Sequence, residues 1–190
     1  KSEENTKGYG WLKSKGYSEG EPFVCVLIRD SAFLESNEIA GGHDFSYHNY
    51  RDSNIEDYLP ALDWLTNQGV WVIRMGKVMR NPILIKNERI IDYPFLKEWN
   101  SFLDIWLFAN CDLCISTGSG PDCISDVFRR PQLYLNFLPA KNVISWSNSM
   151  TVLKKLCWDD NGNELTLKES IKFDNLTGVE YEDKNILISD

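Results

Sequence analysis

Four short apolar runs punctuate the chain, and segments of helical period separate them. The runs are residues 23–28 (FVCVLI), 70–73 (VWVI), 112–116 (DLCIS) and 132–135 (QLYL). A brief, nearly continuous apolar run bounded by polar or turn residues predicts a strand covered on both faces. Between the first two, Ser53-Asn-Ile-Glu56 has the form of a capping box, so a helix is expected from near Asn54. Ile55, Leu59, Leu62 and Leu65 form its apolar stripe, Pro60 lies at its first turn or a kink, and Gly69 ends it. Residues 83–85 and 89–91 are short β-like runs. Trp99, Phe102, Leu103 and Trp106 then predict a helix to about Asn110. Residues 1–21 read as a short helix and a loop.

After Asn136 the pattern loosens. Residues 151–157 are expected as a strand, Asn161-Gly162 as a turn, and Thr166 to Glu169 as a second capping box opening a short helix. An acidic tail runs from Val179 to Asp190. Strands alternating with helices at these spacings imply an α/β fold: one Rossmann-like domain over residues 1–190, with a mostly parallel sheet flanked by helices. The ordered core is expected over about residues 20–140, with 141–190 peripheral.

The candidate chemistry gathers at the predicted strand ends. Residues 116–120 (STGSG) form a glycine turn after the third run, and Pro121 suits the first position of a following helix. Glycine lets a ligand approach the backbone closely, and a helix start favours an anion such as a phosphate. The sequence is neither a GxGxxG nor a GxxxxGK[ST] loop, so a plain strand-to-helix turn is the competing reading. Arg29 and Arg74 fall at the ends of the first two runs. Beside the turn they suggest an anion crevice built from Arg29, Arg74, Ser116, Thr117, Gly118, Ser119 and Gly120. Asp92 and Tyr93, at a neighbouring strand end, are candidates for reading a ribose or a base. The long irregular segment 31–52 carries Gly41-Gly42, His43 and His48. Loops of that length are often functional, and either histidine is a candidate base, with a structural role open for both.

Composition narrows the function classes. With 190 residues the chain can bury a real core, and 43 % hydrophobic with 25 % charged residues is ordinary for a globular protein. A net charge of −8 argues against nucleic acid or an anionic membrane as a partner held by bulk attraction. No apolar run reaches the roughly 20 residues of a membrane span. The five cysteines include a Cys111–Cys114 pair that enters a predicted strand, which reads as buried thiols in a cytoplasmic protein. The sequon Asn175-Leu-Thr177 has no consequence in that compartment. Asp159-Asp160 reads as a solvated pair at a turn, so no metal is expected. The chain opens on Lys1, with no secretory signal segment, and is expected to be a piece of a longer protein.

Five stretches resemble a bacterial family assigned as glycosyltransferases of the GT-B type. They are residues 24–34 (VCVLIRDSAFL), 47–62 (YHNYRDSNIEDYLPAL), 70–77 (VWVIRMGK), 102–122 (FLDIWLFANCDLCISTGSGPD) and 129–139 (RRPQLYLNFLP). They cover most of residues 20–140, in the family's order. The resemblance implies the C-terminal, donor-binding half of a two-domain enzyme. Its partners would be a nucleotide-sugar donor, an acceptor glycan or other hydroxyl compound, and an N-terminal half absent from this chain. It implies transfer of a sugar from a nucleotide diphosphate without metal or other cofactor, in polysaccharide biosynthesis, and a fragment inactive alone. A sugar-nucleotide epimerase of the same fold type and a non-catalytic phospholigand-binding module remain alternatives.

Overall fold

The computed structural model describes residues 2–36, 43–174 and 176–189. The Gly41-Gly42 pair and the Asn175 of the sequon lie outside them. Six parallel strands form the central sheet: β1 (Phe23–Leu27), β2 (Trp71–Arg74), β3 (Ile90–Asp92), β4 (Leu113–Ser116), β5 (Gln132–Phe137) and β6 (Ser149–Leu153). Their order is β3-β2-β1-β4-β5-β6. That is the strand order of doubly wound dinucleotide-binding folds, and the winding reverses between β1 and β4. The expected α/β, Rossmann-like parallel sheet is therefore present, and all four predicted runs lie in it. Val24 pairs with Val72 on one side and Leu113 on the other, so β1 sits at the centre.

The alternation of side chains along β1 and β2 divides the core in two. On one face Phe23, Cys25, Leu27, Trp71 and Ile73 pack with Leu12, Leu103, Trp106 and Leu107. Those residues come from helix α1 (Ser2–Ser14) and from a helix at Ser101–Asn110. On the other face Val24, Val26, Ile28, Val72 and Ile115 pack with Ile55, Tyr58 and Leu62. Each buried Leu or Phe contributes roughly 1.5–3 kcal/mol. Among the described residues the α-helices after α1 are, in chain order, α2 (Ala32–Glu35), α3 (Leu59–Asn67), α4 (Ser101–Asn110), α5 (Cys123–Val127), α6 (Leu167–Lys172) and α7 (Gly178–Glu182).

Several local expectations need correction. The helix before β2 opens one residue later than the Ser53 box suggests: Asn54 Oδ1 accepts from Glu56 N, a 3-10 turn covers Ile55–Tyr58, and α3 follows with Pro60 in its first turn. Ser53 Oγ is left with no partner. Residues 83–85 are not a strand; residues 75–89 form an irregular crossover. The stretch 151–157 splits between β6 and β7 (Lys155–Trp158), which pairs antiparallel with β8 (Ile186–Ser189). The sheet thus extends past residue 140. The tail adds a small core of its own, in which Leu138, Leu156, Leu165, Tyr181 and Ile186 are buried. All five cysteines are unpaired.

Candidate functional site

At the point where the winding reverses, the strand ends diverge and leave a crevice. A cavity of about 400 Å³ occupies it, bounded by Arg29 and Asp30 after β1 and by Gly118, Ser119, Gly120 and Pro121 after β4. Residues 76–79 of the helix-free crossover form another wall, and Ile28, Phe33, Leu34, Val78 and Met79 give it an apolar lining. His48 and Arg51 close it from a 3-10 helix at Ser46–Arg51. That segment is backed by the tail: Tyr50 stacks obliquely on Tyr181 at 5.9 Å.

Among the described residues, three basic side chains, Arg29, Arg51 and Lys77, line the cavity against one carboxylate, Asp30. Arg29 is 11 % exposed, and its Nε lies 3.0 Å from Asp52 Oδ1. Burial, and then the charge of Arg51, pull its proton affinity down from the usual guanidinium value. Arg51 donates from Nη2 to Gly118 O at 3.1 Å, while its buried Nε has no partner. His48 Nδ1 is likewise buried without a partner. Burial, then the charges of Arg29 and Arg51, depress the His48 pKa, so the ring is neutral at neutral pH. A positive cluster held by so few carboxylates is an electrostatic invitation to an anion, even in a chain of net charge −8.

The glycine turn contributes shape rather than donors. Thr117 N bonds to Leu27 O, Gly118 N to Ser116 Oγ, and Ser119 N to Asp122 Oδ2 at 2.8 Å. The Asp122 carboxylate also accepts from Ser116 Oγ at 2.6 Å, and burial raises its pKa. The expected cradle of open N–H groups is thus already filled at residues 117–119 by the protein's own side chains and β1. Thr117 Oγ1 accepts from Arg29 N at 2.9 Å and fixes the β1 end against the turn. Gly118 has φ +81°, and a Cβ there would sit 2.8 Å from Phe137 Cε2, whereas a Cβ at Gly120 would meet open space.

The structure gathers Arg29, His48 and residues 118–120 at one cavity and sends the other candidates elsewhere. Arg74 is 1 % exposed and pairs with Asp92 Oδ1 at 3.3 Å and with Asn81 O at 2.7 Å. It holds the 75–89 crossover and does not line the switch-point cavity. Asp92 also accepts from Ile83 N, and Tyr93 is buried in the core with its hydroxyl on Asn100. His43 is exposed beside a separate hollow with Glu35 and Asp44. Arg51 was not singled out from the sequence; its only signal was its place in the YHNYR stretch.

Among the described residues no cluster of His, Cys, Asp and Glu has the arrangement of a metal site, and no helix is long and apolar enough to cross a membrane. Comparison with family models, curated proteins and solved structures finds no match to this chain.

Proposed function

We propose that the domain binds the diphosphate of a sugar nucleotide at the switch point and serves as the donor half of a cytoplasmic glycosyltransferase. The observation that carries this reading is the convergence of Arg29 and Arg51 on an apolar-walled cavity, with Arg51 Nε buried and unpartnered. Guanidinium groups match phosphate oxygens in geometry and charge. The apolar wall suits the flat face of a base. In the transfer, the bond between the anomeric carbon and the diphosphate oxygen breaks, and its electron pair leaves on that oxygen. Arg29 and Arg51, already in place, would stabilise the charge as it develops. The acceptor hydroxyl forms the new bond and gives up its proton to a base. His48 lines the cavity in its neutral, proton-accepting form.

An epimerase fits less well. It needs acid and base groups beside the sugar, and the one carboxylate lining the cavity among the described residues, Asp30, already accepts from Ala32 N and Arg80 N. The test is equilibrium titration of the chain with ribonucleoside diphosphates and with inorganic pyrophosphate. Submillimolar to millimolar binding of the diphosphates, competed by pyrophosphate, supports the reading; no heat and no competition at millimolar concentration contradicts it.

A further inference from the structure

A second cavity, of about 430 Å³, adjoins the first through the shared Asp30. It lies over the ends of β1 and β2 and is lined by Ser31, Asp52, Ser53, Asn54, Arg74 and Asn81, among others. The Arg29–Asp52 ion pair links the two linings, since Arg29 lines the first cavity and Asp52 the second.

Two polar atoms on residues lining this second cavity are buried with no hydrogen-bond partner: Ser53 Oγ and Arg74 Nε. The Asp52 carboxylate is engaged by Arg29 Nε at 3.0 Å. Buried polar groups in folded proteins are nearly always satisfied, so two orphans on one cavity imply an occupant, either water or a ligand. The set comprises one donor and one group that both donates and accepts. The charged side chains around it are already engaged: Arg74 pairs with Asp92, Arg80 with Glu35 and Asp52 with Arg29, and Asp30 accepts from Ala32 N and Arg80 N. An anion here would face Asp30 and Asp52, and a cation would face Arg74 and Arg80. Neutral hydroxyls, each both donor and acceptor, fit the unpaired atoms of both kinds.

We propose that this second cavity binds a polyhydroxyl ring attached to the diphosphate, with Ser53 as its discriminating contact. The proposal rests on the diphosphate reading of the first cavity. The ring is either the ribose of the nucleotide or the sugar to be transferred, and the experiment's arms separate them.

The experiment is calorimetric titration of the parent chain and Ser53→Ala with inorganic pyrophosphate, with uridine, guanosine, cytidine and adenosine diphosphates and their 2′-deoxy forms, and with hexose conjugates of the ribonucleotides. Removing an unpartnered buried hydroxyl should leave the melting temperature unchanged or raised. Pyrophosphate affinity should be unchanged, while the tightest ring-bearing ligand should lose about three- to tenfold, the equivalent of one hydrogen bond between uncharged partners. If the loss is already present for the ribonucleoside diphosphate and is absent for its 2′-deoxy form, the ring is the ribose. If it appears only with the hexose conjugate, the ring is the transferred sugar. The proposal is overturned if Ser53→Ala binds every ligand like the parent, or if no ring-bearing ligand binds more tightly than pyrophosphate. Failure of pyrophosphate and the diphosphates alike to bind the parent would instead overturn the reading of the first cavity.

Discussion

At the residue scale, Gly118 and Gly120 look alike in the sequence and behave differently in the fold. Gly118→Val would force a β-branched residue to φ +81° and into Phe137, so we expect loss of folding stability, read as a lowered melting temperature. At Gly120 an added Cβ meets no protein atom, so Gly120→Val has room. Its stability should stay within about 0.5 kcal/mol of the parent, as for other unobstructed surface changes. Diphosphate affinity should nevertheless fall, because the new side chain projects where a ligand would sit. Arg51→Ala should cost about 1.5–3 kcal/mol of binding, tenfold or more, with Arg51→Lys recovering part. Arg74→Ala should act on stability, by roughly 3 kcal/mol or more, because it leaves Asp92 without its buried partner. The strand register explains why Arg74 does not line the switch-point cavity. Arg74 is the last paired residue of β2, on the same side as Val72 and still within the packed sheet, whereas Arg29 lies two residues beyond the end of β1. Arg51 was illegible for a different reason. Its place depends on a 3-10 helix held by the far end of the chain, a contact that no local pattern encodes.

At the scale of elements, the strands that the sequence reveals are those buried on both faces, such as the wholly buried β1 and β2. The edge strands show only in outline, as the β-like run 89–91 and the stretch 151–157. β3 has three residues, and β6 alternates half-buried and exposed positions, so neither forms a long apolar run. Helix packing yields two tests. Gly8 of α1 lies against Trp106 of α4, and a Cβ built there would overlap the indole ring. Alanine is the better helix former, so Gly8→Ala would normally stabilise α1. Here the clash decides, and chemical denaturation should show a loss of about 1–3 kcal/mol, as for other overpacked sites. In α4, burial pushes the Asp104 pKa from 3.8 up to about 6. The folded chain then binds that proton more tightly than the unfolded one, so the contribution of Asp104 to stability is most favourable at low pH and declines as pH rises from about 4 to 6. Asp104→Asn should remove this decline, making the variant gain on the parent over that interval when melting temperatures are followed with pH.

At the scale of the whole molecule, a chain of net charge −8 concentrates positive charge at the one point where its sheet changes winding direction. Bulk charge repels anions while the local field attracts them, so diphosphate binding should weaken as salt rises. A crystal structure of the chain with a bound ribonucleoside diphosphate tests the diphosphate reading most directly. We predict phosphate oxygens within hydrogen-bond reach of Arg51 Nε and beside Arg29, with Gly120 against the ligand and the Asp122 carboxylate still bonded to Ser116 and Ser119. A diphosphate seated on the backbone of residues 117–119, or anywhere away from the crevice between β1 and β4, would contradict it.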